Sequence, residues 1–315
     1  MNSENIHDKF FKSLMTEKEN AIDFFRYYLP EELLQEMDLD SLELQNDSFV
    51  DEKLKESFSD VLYRVNIHKR TSYIYTLFDH KSKPDKYTAL QLLKYIISIW
   101  ERHITLKGRK GKLPIVLPIV LYHGKRNWKL GNNLKTILET IPAYNPYIPD
   151  FQYSLFDLSK FSEEEIKGNV ILQIAFHLLK NIFSKELETK LGDIFLLFEK
   201  LEDEDKALKW IEISLRYLFK SNTEITLDKL KKIAEGTNLR GVKSKMPTIA
   251  ETLDRQGYER GIKFADLRAK RAERKIKLRT AIKMKKKGMD FQFIQEMTEL
   301  DKTLLEKFFK KIRIN

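Results

Sequence analysis

The chain has 315 residues, 42% of them apolar, enough for one large domain or two ordinary ones and too apolar for wholesale disorder. The absence of cysteine excludes disulfides, thiolate zinc sites and cysteine nucleophiles. The net charge of +10 is uneven: residues 255–315 carry 19 Lys+Arg against 8 Asp+Glu, and the rest of the chain is nearly neutral. A neutral body with a basic arm fits attraction to nucleic acid; a solvated, Lys-rich surface from a biased genome is the rival reading.

In chain order, residues 6–28 have the apolar spacing of a helix, with a break expected near Met15 to Glu19. Pro30 suits the first turn of a short helix reaching Met37, and Ser41 to Leu44 reads as a first strand, followed by a polar crossing around residues 46–55. Phe58 to Lys81 then reads as two strands, with Val61, Tyr63 and Val65 alternating in one and Tyr73, Tyr75 and Leu77 in the other. The polar segment His68 to Thr71 joins them. Pro84 is expected to open a helix running to about His103, with Leu90, Leu93, Tyr95, Ile96, Ile97 and Trp100 as its stripe and Gln91 sharing a face with Tyr95. Leu113 to Tyr122 is a nearly continuous apolar strand, in which Pro118 demands a bulge, bend or sheet edge. It is too short to span a bilayer, and the N-terminal residues lack the pattern of a secretory signal, so a cytoplasmic protein without a membrane segment is expected. Phe151 to Leu158 is a further strand.

From Ser162 the pattern turns helical. Ser162 and Glu165 match a capping box for a helix to about Phe183, and helices are expected over 187–199, 204–219 and 226–235. Residues 255–287 carry long basic helical stretches. After Gly288, Asp290 and Asp301 suit the N-caps of two short helices. A helix-turn-helix and an oligomerisation hairpin are equally economical readings of this last segment. The expected architecture is thus an α/β mixed-sheet core flanked by helices (residues 1–160), a helical region packed on it (161–240) and a basic helical tail (247–315).

Chemistry concentrates at the open end of the hairpin. Pairing Asp60 directly with Asp79 centres the turn between residues 69 and 70 and sets both carboxylates on one face, with Lys81 two residues farther along the second strand. Two neighbouring carboxylates repel unless a cation joins them, and Mg²⁺, a hard ion that takes oxygen ligands, suits the pair. In that reading Asp60 and Asp79 are metal ligands, and Lys81 stabilises charge or positions water. The bland alternative is a charged cluster at a solvent edge. The dispersed histidines show no zinc spacing.

Several segments carry a resemblance: HDKFFKSLM from His7, SDVLYRV from Ser59, YIYTLFDHKSKPDKY from Tyr73, LPIVLPIVLYHG from Leu113 and KKKGMDFQFIQEMTELDKTLLEKF from Lys285. Together, and in the same order, they resemble the bacterial recombination-promoting nucleases, also labelled transposase-like, of the PD-(D/E)xK superfamily. The resemblance implies a restriction-endonuclease-like core and Mg²⁺-dependent hydrolysis of DNA, linked to recombination or mobile elements, with no organic cofactor. It puts Asp60 and Asp79 at the metal-binding positions, the second where relatives commonly have glutamate. Lys81 falls at the final position, where many have glutamine. It marks Asp8 and Gln91 as auxiliary candidates, with Glu17 and Glu19 as alternatives to Asp8.

Phosphate contacts are expected from Lys107, Arg109, Lys110 and Lys112 in a Gly-interrupted loop and from Arg271, Arg274 and Lys275 in the tail. A homodimer would let two sites address both strands. The competing function is a non-catalytic DNA-binding or self-associating protein on a nuclease-like fold. A transposase that also joins strands is less favoured, because only one carboxylate cluster is visible.

Overall fold

The structure is a computed structural model; it describes residues 6–45, 60–79, 84–108, 111–221, 225–226, 228–230, 232, 248, 251–252, 255, 273 and 275–311, with positions 60, 79, 308, 310 and 311 described by their backbone. The chain divides into two compact units, Met1–Ala250 and Glu251–Asn315.

The first unit is built on a five-stranded mixed sheet, in the order β1 (Met37–Leu44), β2 (Asp60–Ile67), β3 (Arg70–Asp79), β4 (Val116–Tyr122) and β5 (Ser154–Asp157). The first three strands are antiparallel, and β3, β4 and β5 run parallel. A parallel pair needs a crossover, and the helix α4 (Thr88–Lys107) supplies it between β3 and β4. The expected mixed α/β core is therefore present. β1 is longer than expected and begins at Met37, which shortens the helix after Pro30 to Glu31–Leu34.

Pairing runs from Ile67↔Arg70 to Asp60↔Leu77, two residues away from the expected alignment. The reason is the turn. His68 and Lys69 alone form it, both with positive φ (48° and 61°), as a tight two-residue hairpin of the I′ kind requires. Arg70 and Thr71, expected in the loop, join the ladder instead. Such φ values are unfavourable for residues with a Cβ. The turn is held by an ion pair between the His68 imidazole and Glu36, and by a hydrogen bond from the His68 backbone N–H to the Glu36 carbonyl.

Period-two alternation divides the sheet into two faces. One face carries Leu62, Tyr73, Tyr75, Leu77, Val120 and Tyr122, and it packs under α4 through Ala89, Leu92, Tyr95 and Ile99. The stripe differs from the expected one: Leu90 and Ile97 lie outside, because the chain enters the helix at Thr88, four residues after Pro84, and so arrives rotated. The Asp85 carboxylate accepts the Tyr87 N–H (2.9 Å) at this entry.

The other face meets α1 (Ile6–Met15) and α2 (Lys18–Tyr28), which divide where the sequence predicts. Phe11 stacks on Phe78 at 4.4 Å between ring centres, and Phe25 meets Tyr63 edge-on at 5.6 Å. Each such buried ring contributes about 1.5–3 kcal/mol by leaving water, so α1 is firmly attached beside the end of β3. Pro118 pairs with Tyr75 on β3, whereas β5 joins β4 only from Ile119, so the residue without an N–H stands where β4 has one neighbour.

Helices α5 (Val170–Asn181), α6 (Leu187–Leu196) and α7 (Glu204–Ser221) complete the unit. The capping box forms reciprocally, Glu165 N–H to the Ser162 hydroxyl and Ser162 N–H to the Glu165 carboxylate. No helix follows directly: Gly168 turns the chain at φ 110°, and Asn169, seven residues after Ser162, caps α5. Of the helix expected over 226–235, residues 228–230 and 232 are helical, Thr226 is not, and the rest lies outside the described residues, as do the crossing at 46–55 and most of residues 247–274 at the start of the basic tail.

In the second unit, residues 275–286 are helical and are followed by α9 (Phe291–Thr298) and α10 (Lys302–Lys311), counting the former as α8. Asp290 accepts the Gln292 N–H and Asp301 the Leu304 N–H, the two caps read from the sequence. Ala281, Ile294, Leu300, Leu305 and Phe309 form this unit's own small core. Among the described residues, no helix is long and apolar enough to cross a membrane.

Candidate active site

Asp60 opens β2 and Asp79 closes β3. Asp60 stands opposite Leu77, so Asp79 is its diagonal neighbour, two residues farther along β3. A two-residue offset preserves the face, because side chains alternate with period two. Both positions therefore belong to the sheet face beneath α4. Asp79 also pairs with Tyr122 at the end of β4. Asp79 thus closes β3 at the carboxyl end of the parallel strands, where open α/β sheets commonly place their ligands, and Asp60, at the amino end of the antiparallel β2, lies at the same end of the sheet. Lys81 lies outside the described residues.

The first turns of α4 overhang this end. Tyr95 stacks on Tyr75 at 4.5 Å and His103 meets Tyr73 at 6.2 Å, so α4 runs antiparallel to β3. One helical turn back from Tyr95 covers about 6 Å, as do two strand residues, which brings Gln91 to the level of Leu77. Its side-chain Nε2 is buried and, among the described residues, has no hydrogen-bond partner. A buried donor without an acceptor costs about 1–3 kcal/mol, a cost that an anionic oxygen arriving in the site would remove.

Asp8 occupies the first turn of α1 and is 8% exposed, on the helix that covers the opposite sheet face. The end of β3 is wrapped by a shell the sequence did not reveal. His123, buried just after β4, stacks on Phe78 (5.8 Å) and on Phe183 (5.0 Å), and lies 5.0 Å from the His7 ring. A 2.8 Å hydrogen bond links His7 Nδ1 to the Tyr217 hydroxyl. Burial pushes the Tyr217 pKa well up, so the phenol keeps its proton. Tyr217 is 210 residues from His7, and no local spacing could have paired them. Glu17 and Glu19, the alternatives to Asp8, are engaged by Lys209 (2.6 Å) and Lys206 (2.7 Å) on α7.

The basic candidates stand elsewhere. Lys107 ends α4 and Lys112 precedes β4, at the sheet end where Tyr73 pairs with Val116. The seven residues of β4 separate them from the level of Asp79, about 20 Å at ~3.3 Å per residue. Arg109, Lys110, Arg271 and Arg274 lie outside the described residues; Lys275 is exposed on the helix of the second unit.

Two carboxylate positions on adjacent strands, one diagonal apart, are a donor type that suits a hard divalent cation. Among the described residues no three His, Asp or Glu side chains gather into a metal set.

Residues 5–209 match the family model described as "Putative transposase, YhgA-like". Among curated proteins, the chain is similar to recombination-promoting nuclease RpnD of Escherichia coli O157:H7, 40% identical over 127 residues, covering 39% of this chain and 48% of that protein. It is similar to recombination-promoting nuclease RpnC of E. coli K12, 30% identical over 194 residues, 62% of this chain and 64% of the relative. These matches span 48% and 64% of the relatives' lengths. A longer match, 27% identical over 302 residues and covering 93% of this chain and 94% of the relative, is to a K12 protein named inactive recombination-promoting nuclease-like protein RpnE. No solved structure matches.

Proposed function

Because the chain belongs to the YhgA-like family, we propose that it is a Mg²⁺-dependent DNA endonuclease that hydrolyses backbone phosphodiesters, in a role linked to recombination or mobile elements. One observation carries the reading: Asp60 and Asp79 share a sheet face, one diagonal apart, at the carboxyl end of the parallel strands. The relatives named as nucleases support it from a separate direction.

In this reading Asp60 and Asp79 hold the cation. A divalent ion bound there supplies Lewis-acid polarisation of the phosphate and lowers the pKa of water. Lys81 offsets the charge that develops on the phosphate, a task needing no change from its ordinary protonation. Gln91 donates its Nε2 hydrogens to a phosphate or carboxylate oxygen and so aligns the scissile group. Asp8 acts from the far side of β3 as an auxiliary acid. The basic tail raises the local concentration of DNA through phosphate contacts and supplies no chemistry.

The test is nicking of supercoiled plasmid by the purified chain with Mg²⁺ or with EDTA, repeated for D60A and D79A. Cleavage that needs the metal and disappears in both variants, with metal-free DNA binding retained, supports the assignment. Native-rate cutting by both variants defeats it.

A second reading has its own support: the relative matching most of the chain's length is named inactive. A non-catalytic DNA-binding or self-associating protein would bind DNA without cutting it in any divalent metal.

A further inference from the structure

Beside the acidic positions the surface changes character. A groove of about 490 Å³ opens between the entry to α4 and the connection from β4 to β5. Asp85, Lys86, Tyr87 and Ala89 line it from the entry to α4, and Lys129, Leu130 and Glu139 from the connection, with Tyr153 also in the lining. Ala89 packs in the same apolar cluster as Leu77 and Tyr122, the strand neighbours of Asp60 and Asp79. The groove therefore lies on the α4 side of the sheet, at the end where the acidic positions are.

The wall is rigidly made. The Tyr153 hydroxyl donates to the Gly131 carbonyl (2.9 Å), the Asn132 amide to the Tyr153 carbonyl (3.1 Å), and the Thr136 hydroxyl to the Asn133 carbonyl (2.7 Å). Beyond it the chain makes a single short turn, Pro142–Tyr147. This turn leaves Tyr144 61% and Tyr147 83% exposed, and Tyr87, which lines the groove, is 52% exposed with the Lys86 ammonium 4.7 Å from its ring centre. Bulky rings standing in water, one of them under a lysine ammonium, have a matching ligand: a base with an open π-face on a phosphate backbone. Paired bases hide those faces inside the duplex, so duplex DNA would gain little from the tyrosines.

We propose that the groove and the tyrosines Tyr87, Tyr144 and Tyr147 form a stacking platform for unpaired DNA bases. This rests on the nuclease reading of the same site and narrows its substrate to DNA with a single-stranded stretch next to the scissile phosphodiester. The strand enters along Lys86 and Lys129, its bases stack on the rings, and its backbone continues toward the end of β3.

The test is fluorescence anisotropy with the full chain in EDTA, using a labelled single strand, the same sequence as a duplex, a forked duplex, and an abasic strand of equal length. The native chain is expected to favour the single strand and the fork over the duplex and the abasic strand. Y87A and the Y144A/Y147A pair should each lose about tenfold or more on the single strand, the scale of one or two stacked bases, with duplex binding unchanged. All three side chains are exposed, and circular dichroism verifies that the variants fold. Unchanged single-strand affinity in the triple variant, equal losses on duplex and single strand, or full-strength binding of the abasic strand each overturn the platform. The two readings separate cleanly: a base-dependent preference without metal-dependent cleavage defeats the nuclease and keeps the platform. Cleavage of forks indifferent to the tyrosines does the reverse.

Discussion

Asp60 faces Leu77 across the β2–β3 ladder, not Asp79. Direct opposition would crowd the two acids at about 5 Å between Cβ atoms, whereas diagonal neighbours stand farther apart, with Cα atoms about 7–8 Å apart. On the proposed reading, that wider spacing is what a shared cation between the two carboxylates requires. Swapping the two β3 positions, as L77D/D79L, returns the acids to direct opposition with composition unchanged. We expect this variant to fall at least about a hundredfold in Mg²⁺-dependent cleavage, since a misplaced group of this kind forfeits several kcal/mol. Plasmid nicking measures it.

Gln91 separates function from stability. Its buried Nε2 lacks an acceptor among the described residues, so Q91M removes an unsatisfied donor while keeping the side-chain length. The variant should gain about 1 kcal/mol of stability in urea unfolding and lose cleavage rate. Equal or greater activity in Q91M removes Gln91 from the site.

The turn His68–Lys69 gives a purely structural prediction. Lys69 sits at φ 61°, which glycine adopts without a Cβ penalty. K69G should stabilise the chain by up to about 1 kcal/mol, as measured by the denaturation midpoint. H68G should gain less or nothing, because it also removes the ion pair to Glu36.

Acid should weaken the region around Glu163. Burial alone would raise this carboxyl, but hydrogen bonds from Lys190 (2.9 Å) and Lys180 (3.0 Å) outweigh it and hold the pKa at about 2. His177 lies 2.6 Å from the same carboxylate, yet burial dominates there and lowers its pKa, so the imidazole is neutral at pH 7. Both depressed values have the same sign: the folded state binds fewer protons than the unfolded one. Stability is present at neutral pH, falls as pH drops below the ordinary histidine value, and falls again between about 4.5 and 2. E163Q should lose the second, carboxylate-dependent fall while costing about 1 kcal/mol or less at pH 7, the carboxylate being partly solvated. Urea titrations at stepped pH read both.

Lys107 and Lys112 stand a strand's length from the acidic positions, about 20 Å or roughly six base steps. K107A/K112A should therefore lower the salt slope of binding by up to about 2 on long duplexes. On oligonucleotides ending fewer than about six base pairs from the cut site, the slope should not change.

Local chemistry made much of this legible. The break between α1 and α2, the caps Asp290 and Asp301, and the edge position of Pro118 all follow from side chains acting on their own neighbourhood. The hairpin register did not, because the polar run His68 to Thr71 resembles a four-residue loop until Arg70 and Thr71 find ladder partners. The difference is two residues, an even number, so Asp60 keeps the expected side of the pleat. The capping box at Ser162 formed without its helix, since Gly168 redirects the chain before Val170. The pairing of His7 with Tyr217, the shell around His123 and the groove before Tyr153 come from distant segments, and no periodicity encodes them.

The tightness of the His68–Lys69 turn also orders events in time. Twenty residues suffice to close β2 on β3, and hairpins form in about 1–10 μs. Gln91 and Tyr122 reach the same place only after the whole crossover through α4 has been made, a slower and more distant closure. On a growing polypeptide the two acids consequently meet while still bathed in solvent, and the roof over them arrives afterwards.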